Sequence, residues 1–166
     1  MNYSLTALPT LLKRFLITYI IILIIGMGVG LVYLYQSTNI SKEETIEHIN
    51  GTEISDEDDF KEKYPKSINE LLITTHNHIF GMGFIFFSLG LIFFFSEVNK
   101  YLKGFLLIEP LISIVTTFGS IWLVRFVDEK FIYLTIISSL LMYSSFFLIC
   151  AISLWQLLKK QLIVIK

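Results

Sequence analysis

Only one cysteine, Cys150, occurs in the 166 residues. No intrachain disulfide can form, so no loop is stapled and the thiol carries no information on redox compartment. Charge is absent from Phe15 to Gln36, from Leu71 to Ser96 and from Phe131 to Leu158, and Gly104 to Val124 holds Glu109 alone. Histidine is absent from the first, third and fourth of these blocks, since the three imidazoles fall at His48, His76 and His78. Glycine-rich phosphate loops, Walker-type elements and internal repeats are absent too. With 13 basic residues against 14 acidic, there is no electrostatic footprint for nucleic acid.

Each absence excludes something. A lone thiol excludes the four-helix, quinone-linked disulfide-forming enzymes, which need exposed cysteine pairs at the outer face. The histidine distribution prevents one chain from offering haem b two imidazoles on facing helices, and Met27 or Met142 as a second ligand lies well below His76. Haem would then need two copies of His76 or His78 in a homodimer.

What the chain has is apolar surface: 54% hydrophobic residues, 15 Phe and a mean hydropathy of +0.70. Soluble domains hold roughly 45–50%. Each of these four blocks exceeds the ~18–20 residues needed to cross a hydrocarbon core about 30 Å thick. The fold class expected is all-α, an integral membrane antiparallel bundle of four transmembrane helices forming a single domain. The spans are placed at 15–36, 68–96, 104–124 and 131–158, with a largely helical, acidic extracytoplasmic loop at 37–67. The first block has a basic front in Lys13 and Arg14, yet its apolar stretch is long and ends in bulky Leu34 and Tyr35, so it reads as a retained anchor.

Lys13, Arg14, Lys100, Lys103, Lys159, Lys160 and Lys166 flank one end of the spans and six basic residues the other. Ser37 to Glu70 dilutes four of those six among ten acids, and Asp128 and Glu129 offset Arg125 and Lys130. Proximity therefore places both termini in the cytoplasm of an inner (plasma) membrane protein. In the loop, Ser41 is expected to cap one short helix and Ser55 to begin another. Glu44 and His48, four apart on one face, form a weak candidate for a cation, against the plainer reading of a solvated acidic cap. Sequons at Asn2, Asn39 and Asn50 are too short a signal to decide anything.

The second block carries "ITTHNHIFGMGF". Ser67 and Glu70 ahead of it have the spacing of a capping box, so the helix is expected to start near Ile68, with both histidines already helical. His76 and His78 then point about 200° apart, which removes most of the force of an H-x-H metal site. A seven-residue spacing joins Asn69, His76, Gly83, Gly90 and Glu97, all small or polar, and predicts that this seam and His76 face the bundle interior. His78, with Met82, Ile85, Leu89 and Ile92, is then turned to lipid or a partner.

Comparable seams are expected elsewhere: Tyr19, Gly26, Gly30 and Tyr33 in the first span, Glu109, Ser113, Thr116 and Ser120 in the third, and Ser139, Tyr143, Cys150 and Ser153 in the fourth. Together they predict a polar-lined core. Counting residues along the helices sets His76 level with Tyr33, Ser120 and Thr135. The same count sets Glu109 level with Tyr19, Gly90 and Cys150 or Ser153, about 8 Å in from the cytoplasmic side. An acid at that depth costs several kcal/mol unless neutralised or paired, so Glu109 carries the most functional weight. Pro110 beside it removes a backbone donor and can kink the helix.

These residues support a non-enzymatic subunit or accessory factor of a larger respiratory or transport assembly, in contact with the lipid bilayer and with other subunits or copies of itself. The alternative is a small redox or proton-handling module with a quinone, haem or metal site near His76 and the intramembrane acid Glu109. Inverted-repeat symmetry, the mark of many transporters, is not evident.

Overall fold

The computed structural model describes residues 4–52 and 64–159. Among the described residues five α-helices follow one another: α1 (Thr10–Thr38), α2 (Lys42–Asn50), α3 (Ile68–Phe94), α4 (Lys100–Phe126) and α5 (Ile132–Leu158). Short 3-10 turns precede α1 at Leu5–Ala7 and α5 at Glu129–Phe131. All helices but α2 are long and apolar enough to cross a membrane, and the chain is a multi-pass, all-helical membrane protein. The expected loop helix from Ser55 lies outside the described residues.

Local chemistry sets the helix ends. Glu70 Oε2 accepts from the Ser67 backbone N–H at 2.7 Å while Ser67 Oγ accepts from the Glu70 N–H at 3.3 Å, completing the capping box of α3. Ser41 caps α2 through the Glu44 N–H, and Asn99 caps α4 through the Tyr101 N–H. Between α1 and α2, Asn39 and Ile40 have φ of 46° and 54°. Asparagine tolerates that left-handed region, whereas a β-branched side chain is strained there. Ile40 is 64% exposed, so it gains little from packing in return. Ile40→Asn is expected to raise stability by about 1 kcal/mol, read as a higher denaturant midpoint in detergent; an unchanged midpoint overturns the assignment of strain.

The centre of the bundle is apolar. Ile20 of α1, Leu89 and Phe93 of α3 and Phe146 of α5 are fully buried, joined by Leu106 of α4 and Ile149 of α5, and the Phe86 and Phe146 rings meet edge to face at 6.1 Å. Of the positions expected to line it, Ser113, Ser120, Cys150 and Ser153 are buried. Among the hydroxyls assigned to inward seams, Ser139 donates to the Ile136 carbonyl and Thr116 to Ile112, one turn back on their own helices. A hydroxyl satisfied in this way gains nothing from facing inward. In hydrocarbon, shape decides which side chains meet, and the large ones interlock.

Two helices are therefore turned from where the heptad argument put them. In α1, Gly26, Gly30 and Tyr33 face outward, and a Cβ built on either glycine would meet nothing. Of that seam only Tyr19 finds a partner, the Ser88 hydroxyl at 2.6 Å. In α3, Leu89 points to the core, and His78 lies against α4, its ring stacked on Phe118 at 4.5 Å with Nδ1 bonded to the Thr74 carbonyl. His76 is exposed on the opposite side beside Phe80. His78 is exposed as well, so neither histidine is turned into the core.

At the α2 end, Ile49 is buried against Val124 and Ile132, and Asn50 Nδ2 donates to Glu129, so α2 sits over the α4–α5 turn. Arg125 donates from Nε to the Lys66 carbonyl at 3.3 Å and lies over Phe126. Burial pushes the Lys66 ammonium below its ordinary range. Helix α4 continues unbroken through Pro110, which is buried.

At the other end Glu97, expected on the inward seam, is exposed and latches the chain ahead of α1. Its Oε1 accepts from the Ser4 and Thr6 hydroxyls, while the Leu5 N–H donates to the Phe95 carbonyl and Leu5 is buried. The Ser4 bond, then Thr6 and the Lys159 charge, hold the Glu97 carboxyl below its ordinary 4.5. A depressed carboxyl contributes stability in full above its unfolded value and loses it as pH falls through the folded value. The protection factor of the Leu5 amide is expected to fall on acidification in that window and stay low in Glu97→Gln; a flat profile overturns the latch.

Candidate functional site

Glu109 lies on α4 with its carboxyl against α5. Ser113, one turn on, donates to Oε1 at 2.5 Å, and Ser145 of α5 donates to Oε2. The same interface continues toward α2. Thr117 Oγ1 donates to Ser138 Oγ at 2.8 Å, and the Ser120 and Thr135 hydroxyls share a bond of 2.7 Å. The pairs 109 with 145, 117 with 138 and 120 with 135 define one antiparallel register. It differs from the level expected for Glu109, which had faced Cys150 or Ser153; those two lie nearer the end of α5. Ser113, Thr117, Ser120, Thr135, Ser138 and Ser145 are all buried, so the polar column runs between two helices rather than along the bundle axis.

Beside the column the outer side of the α4–α5 pair holds a groove of about 520 Å3. Ile108, Ile112, Ile137 and Leu141 form much of its wall, and Glu109, Ser113, Thr116 and Ser138 supply its polar groups. Glu109 itself is half-buried. Among the described residues no Lys, Arg or His lies within ion-pair distance of it. A membrane-embedded carboxyl thus stands between two serine donors and faces the lipid side.

The residues singled out by spacing divide accordingly. Glu109, Ser113 and Ser120 join the column, and Thr116 joins the groove. Tyr143 is half-buried against the apolar core, Tyr19 bonds α3, and Tyr33 and His76 stand outside. Sequence reasoning missed Thr117, Ser138 and Ser145. The signal was present in α5 as 135, 138, 142, 145 and 149, a face about one residue round the helix from the arc through Ser139, Tyr143, Cys150 and Ser153.

For metal, the described residues contain no group of three or more His, Cys, Asp or Glu side chains able to share an ion. Glu44 accepts from the Asn39 amide at 2.6 Å. His76 and His78 lie on different faces of α3, so one ion cannot take both.

Residues 39–163 match the Aq_1264_TM family, described as a transmembrane helical domain. The chain belongs to that family. The matched stretch contains α2 to α5, and with them the hydroxyl column and the groove; α1 lies ahead of it. No curated protein and no solved structure matches the chain.

Proposed function

We propose that this multi-pass protein is a non-enzymatic subunit or accessory factor of a larger respiratory or transport assembly in the inner (plasma) membrane, with both termini cytoplasmic. The observation that carries the reading is Glu109 on the lipid-facing side of α4–α5 without a basic partner among the described residues. Leaving an acid exposed to acyl chains costs several kcal/mol, and a neighbouring subunit or ligand that covers it removes that cost. The outer face of α1, with Phe15, Ile22, Val29 and Tyr33 exposed, offers further apolar area to another subunit or copy. Extraction of native membranes in mild detergent is expected to yield the 19.2 kDa chain within a larger particle of reproducible composition. A lone monomer with no copurifying neighbour overturns the reading.

A second reading, a small proton-handling or redox module with a quinone as its membrane ligand, is favoured by the two serine hydroxyls set on the Glu109 carboxyl. It rests on Glu109 and not on His76, which is exposed beside Phe80 and outside the column. Glu109→Gln is then expected to abolish a proton-coupled signal in reconstituted vesicles while His76→Ala leaves it intact; an unchanged signal in Glu109→Gln sinks it. Haem b, which needs an imidazole from each of two copies, is tested by a Soret band in the purified protein, and a colourless preparation ends it.

A further inference from the structure

The α4–α5 groove has the dimensions and the asymmetry of a ligand site. Its volume of about 520 Å3 falls in the roughly 300–1,000 Å3 range of small-molecule pockets, which are apolar with a few convergent polar groups. Its rim is open to the side: Ile108, Ile112 and Ile137 are each close to 60% exposed. An occupant therefore enters from the bilayer, with its apolar part along those residues.

The polar end of the groove constrains what it can hold. Glu109 accepts one serine bond on each oxygen, and a carboxylate has about four acceptor positions. The remaining positions can only accept. Among the described residues the groove is lined by no Lys, Arg, His, Asn or Gln, so nothing in it attracts an anion, and a carboxylate repels one. Depth disfavours phospholipid headgroups as well, because Glu109 is five residues beyond Gly104, where the apolar stretch begins, about 8 Å along the axis. A molecule dissolved in the hydrocarbon that presents a hydrogen-bond donor satisfies all of these conditions.

We propose that this groove binds a neutral, hydroxyl-headed amphiphile of the membrane interior, a hydroquinone with an isoprenoid-like tail, whose hydroxyl donates to Glu109. The oxidised quinone has the same ring and tail but only carbonyl acceptors, which face the carboxylate without a donor. The groove therefore discriminates the reduced from the oxidised form. This deepens the second reading above, on which it rests for the role of Glu109, and is independent of the accessory role.

The test uses the full-length protein in phosphatidylcholine nanodiscs, with decylubiquinol and decylubiquinone as probes in equilibrium dialysis corrected for partition into empty discs. The wild-type protein is expected to bind the quinol about tenfold more tightly than the quinone, the worth of one hydrogen bond to a charged acceptor. Glu109→Leu should bring the ratio close to one, whereas Glu109→Gln, which keeps an acceptor oxygen, should retain part of the preference. His76→Ala should leave the ratio unchanged. Equal binding of the two probes by the wild type, or a preference that survives Glu109→Leu, overturns the proposal. So does saturable binding of a long-chain alkylammonium with none of the quinol, which would assign the groove to a cation. Loss of this preference alongside an intact proton-coupled signal would sink the ligand assignment alone. Loss of the signal in Glu109→Gln with the preference retained would support both.

Discussion

Phe146→Ala is expected to destabilise the bundle by about 3 kcal/mol, within the range of large-to-small changes at filled core positions. Phe146 is fully buried, meets Phe86 edge to face at 6.1 Å and Phe147 at 5.2 Å, and belongs to the cluster that joins α1, α3, α4 and α5. In a membrane the hydrophobic effect does not separate inside from outside, because acyl chains solvate a phenyl ring as well as leucines do. The loss is instead one of contact, since the neighbours cannot collapse fully into the space and the dispersion they shared with the ring is forfeited. Leu140→Ala provides the control: Leu140 is 66% exposed, and lipid refills the vacated volume at little cost. The measurement is unfolding in mixed micelles followed by tryptophan fluorescence. Equal effects at the two positions would remove interlocked packing as the source of stability.

The second large effect concerns the carboxyl. Removing one donor from a buried acceptor costs about 1–3 kcal/mol, more when the group is charged. Ser113→Ala with Ser145→Ala takes the donor from each oxygen of Glu109, and a loss of about 4 kcal/mol is expected for the pair. Adding Glu109→Leu to that double variant should restore most of it, because a polar group without partners is costlier than an apolar one of similar shape. Glu109→Leu alone should be nearly neutral for stability, as each freed serine can donate to a carbonyl of its own helix. The sign of the third substitution decides the matter. If Glu109→Leu destabilises the double variant further, the serines were not holding the acid.

How much of this was legible in the chain depends on the scale of the question. Uncharged runs longer than a bilayer is thick admit one secondary structure, so the four spans are plain from residue counts. Ser67, Glu70 and Ser41 mark helix starts because their side chains act on neighbouring backbone, a local chemistry that needs no knowledge of the fold. Rotation about each helix axis was not legible. In water a polar residue reports the outside, and in lipid the rule was inverted to report the inside. His78, Ser139 and Ser88 obey neither, since a carbonyl one turn back satisfies each of them. The register of α4 against α5 was missed for a related reason: it is set by the hydroxyls at 135, 138 and 145, about one residue round α5 from the arc that included Cys150 and Ser153.

The unequal holding of the helices has a mechanical consequence. In α1 the most apolar stretch is 11% buried against 39% in α4, and α1 is joined to α3 by the Tyr19–Ser88 bond, while α4 and α5 share three side-chain links. A force applied at the amino end meets Glu97 and Leu5 first, then a span that slides past its neighbours with little resistance. Extension traces should show an early, low plateau for α1, followed by a steeper rupture when the carboxyl-terminal hairpin finally shears.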